Sequence, residues 1–224
     1  MAHPFGTDEF GRDILSRIIY GSRVSISIGI VAQVIASIVG VTLGSLAGYY
    51  GGWIDNTISR IMEIFQAFPD LIFAMAIMTF LGKGVLNLFI ALGLLTWVRT
   101  ARMIRGSVMQ LKEKEYIEAS RACGASTYWI IMKGLVPNCL STIIVLVTLG
   151  IPNAIMYEAS LSFLGIGIQP PTPSWGNMIS AAQTFISYRP VYSIMPGVAI
   201  MITVIAFNIF GDGLRDALDP KLKN

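Results

Sequence analysis

Apolar runs dominate the chain, roughly at 24–50, 58–81, 85–103, 136–157 and 191–210. About 20 apolar residues cross a bilayer as one helix, so each run is long enough to span. Hydrophobic residues make up 54% of the 224 positions and charged residues 13%, against about 25% charged in soluble domains. Such a chain is dictated to be all-α and polytopic, with lipid as its main surroundings. The net charge of +3 is small, and the basic residues cluster beside the runs. They read as topology determinants, not as a nucleic-acid footprint.

The main polar interruption extends from Arg99 to Pro137. It holds Arg99, Arg102, Arg105, Lys112, Lys114, Arg121 and Lys133, with Glu113, Glu115 and Glu118 among them. Basic segments between spans stay in the cytoplasm. Tyr116, Ile117, Ala119, Ser120, Ala122 and Cys123 form a helix-compatible block that Gly124 breaks, as a glycine at a helix end does. Ile130, Ile131, Leu135 and Val136 then lead to Pro137, which suits the first turn of a helix. The spacing predicts a short helix, a glycine turn and a second helix rising into the next run. This is either a plain helical hairpin or a docking element for a cytoplasmic partner.

Residues 1–23 are charged before any apolar run, unlike a signal peptide. Thr7-Asp8-Glu9 offers a helix N-cap. Ile14, Leu15, Ile18 and Ile19 share one face, with Arg12, Asp13, Ser16 and Arg17 elsewhere. That pattern is an amphipathic lead-in helix, lying on the membrane surface or packed on protein. In the first run, Gly40, Gly44 and Gly48 line one face where another helix can approach closely.

The second run carries Glu63 and Asp70, which share a helix face if the run is one helix, with Gln66 and Pro69 near them. Ionisable groups in a span face a bundle interior or a wet cavity, and Pro69 is expected to kink the helix. Gly82-Lys83-Gly84 lacks the remaining residues of a phosphate-binding loop. Asn153 follows Pro152 in the fourth run, Glu158 follows that run, and Asn208 lies in the last. Glu63, Asp70, Asn153, Glu158 and Asn208 are therefore the pathway or gate candidates. Pro170, Pro171 and Pro173 forbid a regular helix there, which gives a rigid extracytoplasmic loop, with Trp175 and Tyr188 suited to the membrane interface. Met62, Met75, Met78, Phe65 and Phe68 read as helix packing. Cys123 and Cys139 have no histidine neighbours and make no metal site.

With the central loop inside, five spans place the tail inside and the N-terminus outside. Arg12, Arg17 and Arg23 are then on the unfavoured side, so a further span upstream is expected.

Glu118-Ala119-Ser120, followed by three residues, Gly124 and an apolar approach to Pro137, resembles the EAA loop of ABC importer permeases. Ser120 and Gly134 depart from that pattern, and Gly134 is expected to loosen the start of the second helix. His3 to Asp8, Gly11 to Arg17, Glu158 to Gly165, Gln169 to Gly176 and Gly211 to Pro220 are similar to stretches of DppC/OppC-type subunits, in the same order.

The resemblance implies a type I importer transmembrane domain over 24–214, missing the first of six spans. It implies a cytoplasmic EAA loop at about 105–135 and a cytoplasmic tail at 215–224. It further implies a dipeptide or oligopeptide permease subunit, nickel being the alternative cargo, in a bacterial or archaeal cytoplasmic membrane. The implied partners are a second, homologous permease subunit, two ATPase subunits carrying ATP and Mg, and an extracytoplasmic solute-binding protein. ATPase docking then falls to Tyr116, Glu118, Ala119, Ser120, Ala122, Gly124 and Ala125. No catalytic residue, metal or cofactor is expected on this chain, which has no Walker motif. His3 is its sole histidine and lies outside every run, which removes a Ser-His intramembrane hydrolase. A self-sufficient channel or carrier would need no docking loop and no ATP.

Overall fold

Gly40, Gly44 and Gly48 decide the central packing. In the computed structural model, which describes residues 3–218, they face α4 (Val85–Leu111) from α1 (Ile14–Tyr50). A Cβ on Gly40 would lie 2.6 Å from Thr100 Cβ, one on Gly44 2.5 Å from the Ala101 carbonyl oxygen, and one on Gly48 2.7 Å from that of Arg105. Only glycine permits this approach, as expected for small residues at a close helix crossing. The contacts advance together along both chains, so α1 and α4 run parallel. Gly93 of α4 repeats the arrangement against Ile35.

The described residues form helices and no strand, apart from one isolated bridge between Thr7 and Asp13. The lead-in and the first run are a single helix of 37 residues. Its N-cap is Asp13, which accepts from the Ser16 N–H at 2.7 Å, so the cap expected at Thr7–Glu9 is displaced. Asp8 instead accepts from the Arg12 guanidinium at 2.6 Å, from Arg17 at 2.7 Å and from the Phe10 and Arg12 backbone N–H groups. Ile14 is buried against Met178, Ala182 and Tyr192. The lead-in therefore packs on protein through Ile14, while Ile19 and Tyr20 stay exposed.

The second run breaks in two. α2 (Gly52–Gln66) and α3 (Asp70–Leu81) meet at 92°. Proline lacks the N–H that would continue the ladder, and it pushes the preceding residue out of helical geometry. The expected kink is thus a full break, and Glu63 and Asp70 do not share a helix face. α2 lays Ile58 and Met62 on Trp97, Val98 and Ala101 of α4. Asp55 in its first turn accepts from Arg105 Nε at 2.5 Å and from a second guanidinium nitrogen at 2.6 Å.

After α4 come α5 (Glu115–Ala122), α6 (Thr127–Trp129) and α7 (Leu140–Phe163), then α8 (Trp175–Ala182) and α9 (Pro190–Leu218). A π-turn and a 3-10 turn join α6 to α7, so Thr127–Phe163 is one 37-residue helical span. Among the described residues four such spans are long and apolar enough to cross a membrane, or five if the bent pair counts as one span. Trp175 is buried in protein rather than exposed to its surroundings. It is 2% exposed, and its indole N–H donates to the Ile18 carbonyl at 3.1 Å. The tail residues Asp219, Lys221 and Lys223 lie outside the described residues.

Two outcomes follow. Gly44→Ala should destabilise the folded protein by about 1–3 kcal/mol through overpacking. Gly106→Ala, where a Cβ meets nothing within 4 Å, should leave it unchanged or about 0.5–1 kcal/mol more stable. Unfolding in detergent separates the two. At Asp8, burial raises the carboxyl pKa, but hydrogen bonds from the Arg12 backbone, the Arg12 guanidinium and the Phe10 N–H outweigh it and hold the group below its ordinary value. Its stabilising contribution is complete above about pH 3.9 and is lost as pH falls through the lower folded value. Asp8→Asn should cost about 3–5 kcal/mol at neutral pH by stranding Arg17, and should flatten the acid limb of a stability-versus-pH curve.

Candidate functional site

The short helix of the polar segment is pinned on one side and open on the other. Lys114 precedes it in extended geometry, and Glu115 and Glu118 fall in its first turn with Arg121 in its last. Both signs suit the helix dipole. Ile117 is fully buried among Ile104 and Val108 of α4 and Ile130, Ile131 and Leu135 of the rising helix. Burying such a side chain contributes about 1.5–3 kcal/mol. Arg121 stacks over the Tyr49 ring at 5.2 Å, which ties the last turn to the end of α1. Tyr116, Glu118, Ala119, Ala122 and Gly124 are exposed, and Ser120 and Ala125 half-buried.

Gly124 closes the helix in a Schellman motif. Its N–H donates to the Arg121 carbonyl at 2.9 Å, and the Ala125 N–H donates to that of Ser120 at 3.0 Å. Its φ is +78°, and a Cβ would meet nothing, so backbone conformation alone demands glycine. Ser126 then caps the next helix by accepting from the Trp129 N–H.

Pro137 takes the first position of a 3-10 turn, Pro137–Cys139, but this turn lies inside the continuous span Thr127–Phe163, with the π-turn over Ile130–Leu135 directly before it. The proline ring excludes the ordinary carbonyl four residues back, and the chain responds with a local register change. The Gly134 carbonyl accepts from Asn138 Nδ2 at 2.6 Å and from the Tyr116 hydroxyl at 3.4 Å. Gly134 does more than loosen the helix. A Cβ there would lie 2.9 Å from Ile117 Cδ1, so the glycine makes the seat for the buried residue of α5.

The second feature is a polar cavity of about 220 Å³ among α1, the α2–α3 break, α4 and α7. Gln33, Gln66, Asp70, Arg99, Asn153 and Tyr157 line it. The Tyr157 hydroxyl donates to Asp70 Oδ2 at 2.5 Å, joining α7 to the first turn of α3. Arg102 donates to Gln66 Oε1. A neighbouring cavity of about 440 Å³ also borders Arg99 and runs on to Arg215.

Of the pathway candidates, Asp70 and Asn153 therefore meet. Glu63 does not join them; it is exposed on α2 and pairs with Arg60 at 2.8 Å. Glu158 is fully buried, accepting from Ser25 Oγ at 3.0 Å and Ser162 Oγ at 2.8 Å. Ser25 Oγ in turn accepts from the Trp175 N–H, so Glu158 knots α1, α7 and α8 together. Asn208 is exposed on α9.

Arg99 is a cavity-lining residue that the sequence reading does not count among the pathway candidates. It reads as the end of the third run, but α4 continues to Leu111, about 18 Å further at 1.5 Å per residue. The available signal was the spacing of Thr96, Arg99, Arg102 and Arg105, one helical turn apart.

The arrangement is that of an ABC importer transmembrane subunit. The methionine ABC transporter MetNI in an inward-facing conformation superposes with a TM-score of 0.74 at 22% identity, covering 92% of this chain and 97% of that one. The family described as binding-protein-dependent transport system inner membrane components matches residues 40–224, and the chain belongs to that family. The dipeptide transport system permease protein DppC of Alkalihalophilus pseudofirmus is 48% identical over 222 residues, covering 99% of this chain and 73% of the relative. The glutathione transport system permease protein GsiD of Pectobacterium atrosepticum is 44% identical over 223 residues, covering 100% and 74%.

Ile117→Ala should cost α5 about 2–5 kcal/mol of local stability. Hydrogen exchange should show faster exchange across 115–122, while 104–108 of α4 stays protected.

Proposed function

We propose that this chain forms half of the translocation pathway of an ATP-driven importer of short peptides and takes its drive through α5. One observation carries the reading. The helix is plugged by Ile117 into α4 and the rising helix, while Glu118, Ala119 and Ala122 stand free on its other side. A rigid outrigger with an open face suits docking in a partner. The small side chains of Ala119, Ser120 and Ala122 permit close approach, Tyr116 and Ala125 border the contact, and Gly124 sets the angle of the helix.

In this reading the loop and the C-terminus lie in the cytoplasm. Two ATPase subunits bind ATP and Mg, a second homologous permease subunit completes the pathway, and an extracytoplasmic binding protein delivers the cargo. Closure of the ATPases displaces α5, and α4 and α7 move with it. The pathway then alternates between its two sides, a two-state transition driven from an interface. Asp70 and Asn153, which line the cavity, are the pathway candidates this reading keeps. Short-peptide cargo is supported by the names of the relatives, which transport dipeptides and glutathione. Nickel is the alternative cargo. An ATP-independent channel is disfavoured, since it has no use for a pinned helix with an open face.

The test is uptake into proteoliposomes holding the full assembly. Uptake should require ATP and the binding protein. Gly124→Leu places a side chain at positive φ, at a cost of about 1–2 kcal/mol. It should abolish uptake while the chain still inserts in the membrane. Normal uptake by this variant in an intact complex with the ATPases would remove the docking role.

A further inference from the structure

Gln33 walls the polar cavity on its α1 side, with its amide turned toward Gly150 of α7. Gln33 is 3% exposed on α1, and its Oε1 has no hydrogen-bond partner among the described residues. An orphaned buried carbonyl costs about 1–3 kcal/mol. The packing keeps it there nonetheless. Gly150 of α7 lies against the Gln33 amide, where any Cβ would collide with it, so a gap in one helix accommodates this side chain.

Around the amide stand groups of both charges. Arg99 lines the cavity from α4 and Asp70 from the first turn of α3, its carboxylate held by the Tyr157 hydroxyl. Tyr157 donates to one carboxylate oxygen and leaves the other available. A solute fitting this lining carries a negative end and a positive end. Closed small-molecule pockets occupy about 300–1,000 Å³, and this cavity is about 220 Å³. It therefore holds one side of a short solute. The neighbouring cavity that shares Arg99 and reaches Arg215 continues toward the end of the bundle where α4 and α9 finish, with a second cation further along for the same negative end.

We propose that this cavity is a solute-contact site for a short zwitterionic peptide. Arg99 receives the carboxylate terminus, and Asp70 with Tyr157 receives the ammonium terminus. This rests on the importer reading above and deepens it: selection by terminal charge is made within the membrane subunit as well as by the protein that delivers the solute.

The experiment uses the assembled transporter without its binding protein, in a Cys123→Ser background. Asn153→Cys is the reporter and alanyl-alanine the probe. Alanyl-alanine should slow maleimide labelling of the new thiol. Alanyl-alanine amide, which lacks the carboxylate, and N-acetyl-alanyl-alanine, which lacks the ammonium group, should protect less. Arg99→Gln should raise the alanyl-alanine concentration for half-protection by about tenfold or more, the loss of one charge-assisted contact. It should also erase the difference between peptide and amide, and Arg99→Lys should largely restore it. Asp70→Asn should erase the difference between peptide and acetylated peptide. If Asn153→Cys does not assemble, Thr96→Cys on the same cavity serves as reporter. No protection by alanyl-alanine, or equal protection by all three probes, overturns the site. ATP-dependent uptake by the same assembly with its binding protein is read separately. Uptake without protection removes this site alone, whereas absence of ATP-dependent uptake removes the importer reading itself.

Discussion

The backbones of α1 and α4 touch, and the rest of the molecule is built on that contact. Hydrocarbon offers no hydrophobic drive between helices, so close van der Waals packing has to supply it. Three glycines four residues apart provide the surface, and α4 presents Thr100, Ala101 and the Arg105 carbonyl to them. With α4 fixed in this register, its remaining faces are assigned. One carries Trp97, Val98 and Ala101 to α2. Another carries Ile104 and Val108 to the seat of Ile117. Arg99 is left toward the cavity shared with α3 and α7. The proposed docking helix and the proposed solute site are thus two ends of one element.

The two ends of the bundle are secured by different physics. At the end bearing α5, an apolar plug, one bidentate ion pair between Asp55 and Arg105 and a cation over an aromatic ring hold the short elements in place. At the other end, buried hydrogen bonds do the work. Asp8 gathers Arg12 and Arg17, and Glu158 gathers Ser25 and Ser162. Each carboxylate joins segments distant in the chain or turns the lead-in back on itself. Buried polar groups are tolerated where every member finds a partner. Arg17 Nε, Gln33 Oε1, Ser37 Oγ and Ser45 Oγ are the exceptions among the described residues.

Much of this was legible in the sequence because it depends on local chemistry. The apolar runs, the glycine face of α1 and the turn at Gly124 follow from periodicity and from conformations that only glycine adopts. The rest depends on partners distant in the chain. Pro69 announces a bend, but its angle is set by α2 lying on α4 and by Asp70 reaching Tyr157. Pro137 reads as a helix start because a proline inside a helix is costly; here a π-turn and the Asn138 side chain absorb the cost. Trp175 suits an interface by type, yet Ile18 and Ser25 bury it. Arg99 reads as the flank of an apolar run, and its place in the cavity depends on α3 and α7, which are distant in the chain. Glu63 and Asp70 share a face only if one helix runs through Pro69, and the break there separates them.

The central claim is that α5 and α4 move as one body, so that displacement at the docking face reaches the cavity without loss. Spin labels on Ala122→Cys and Leu86→Cys, in a Cys123→Ser background within the assembled transporter, measure it directly by double electron–electron resonance. The account predicts one narrow distance distribution, unchanged between the nucleotide-free and ATP-bound states. A shift or a marked broadening on ATP binding would show α5 swivelling on its seat, and would contradict the claim.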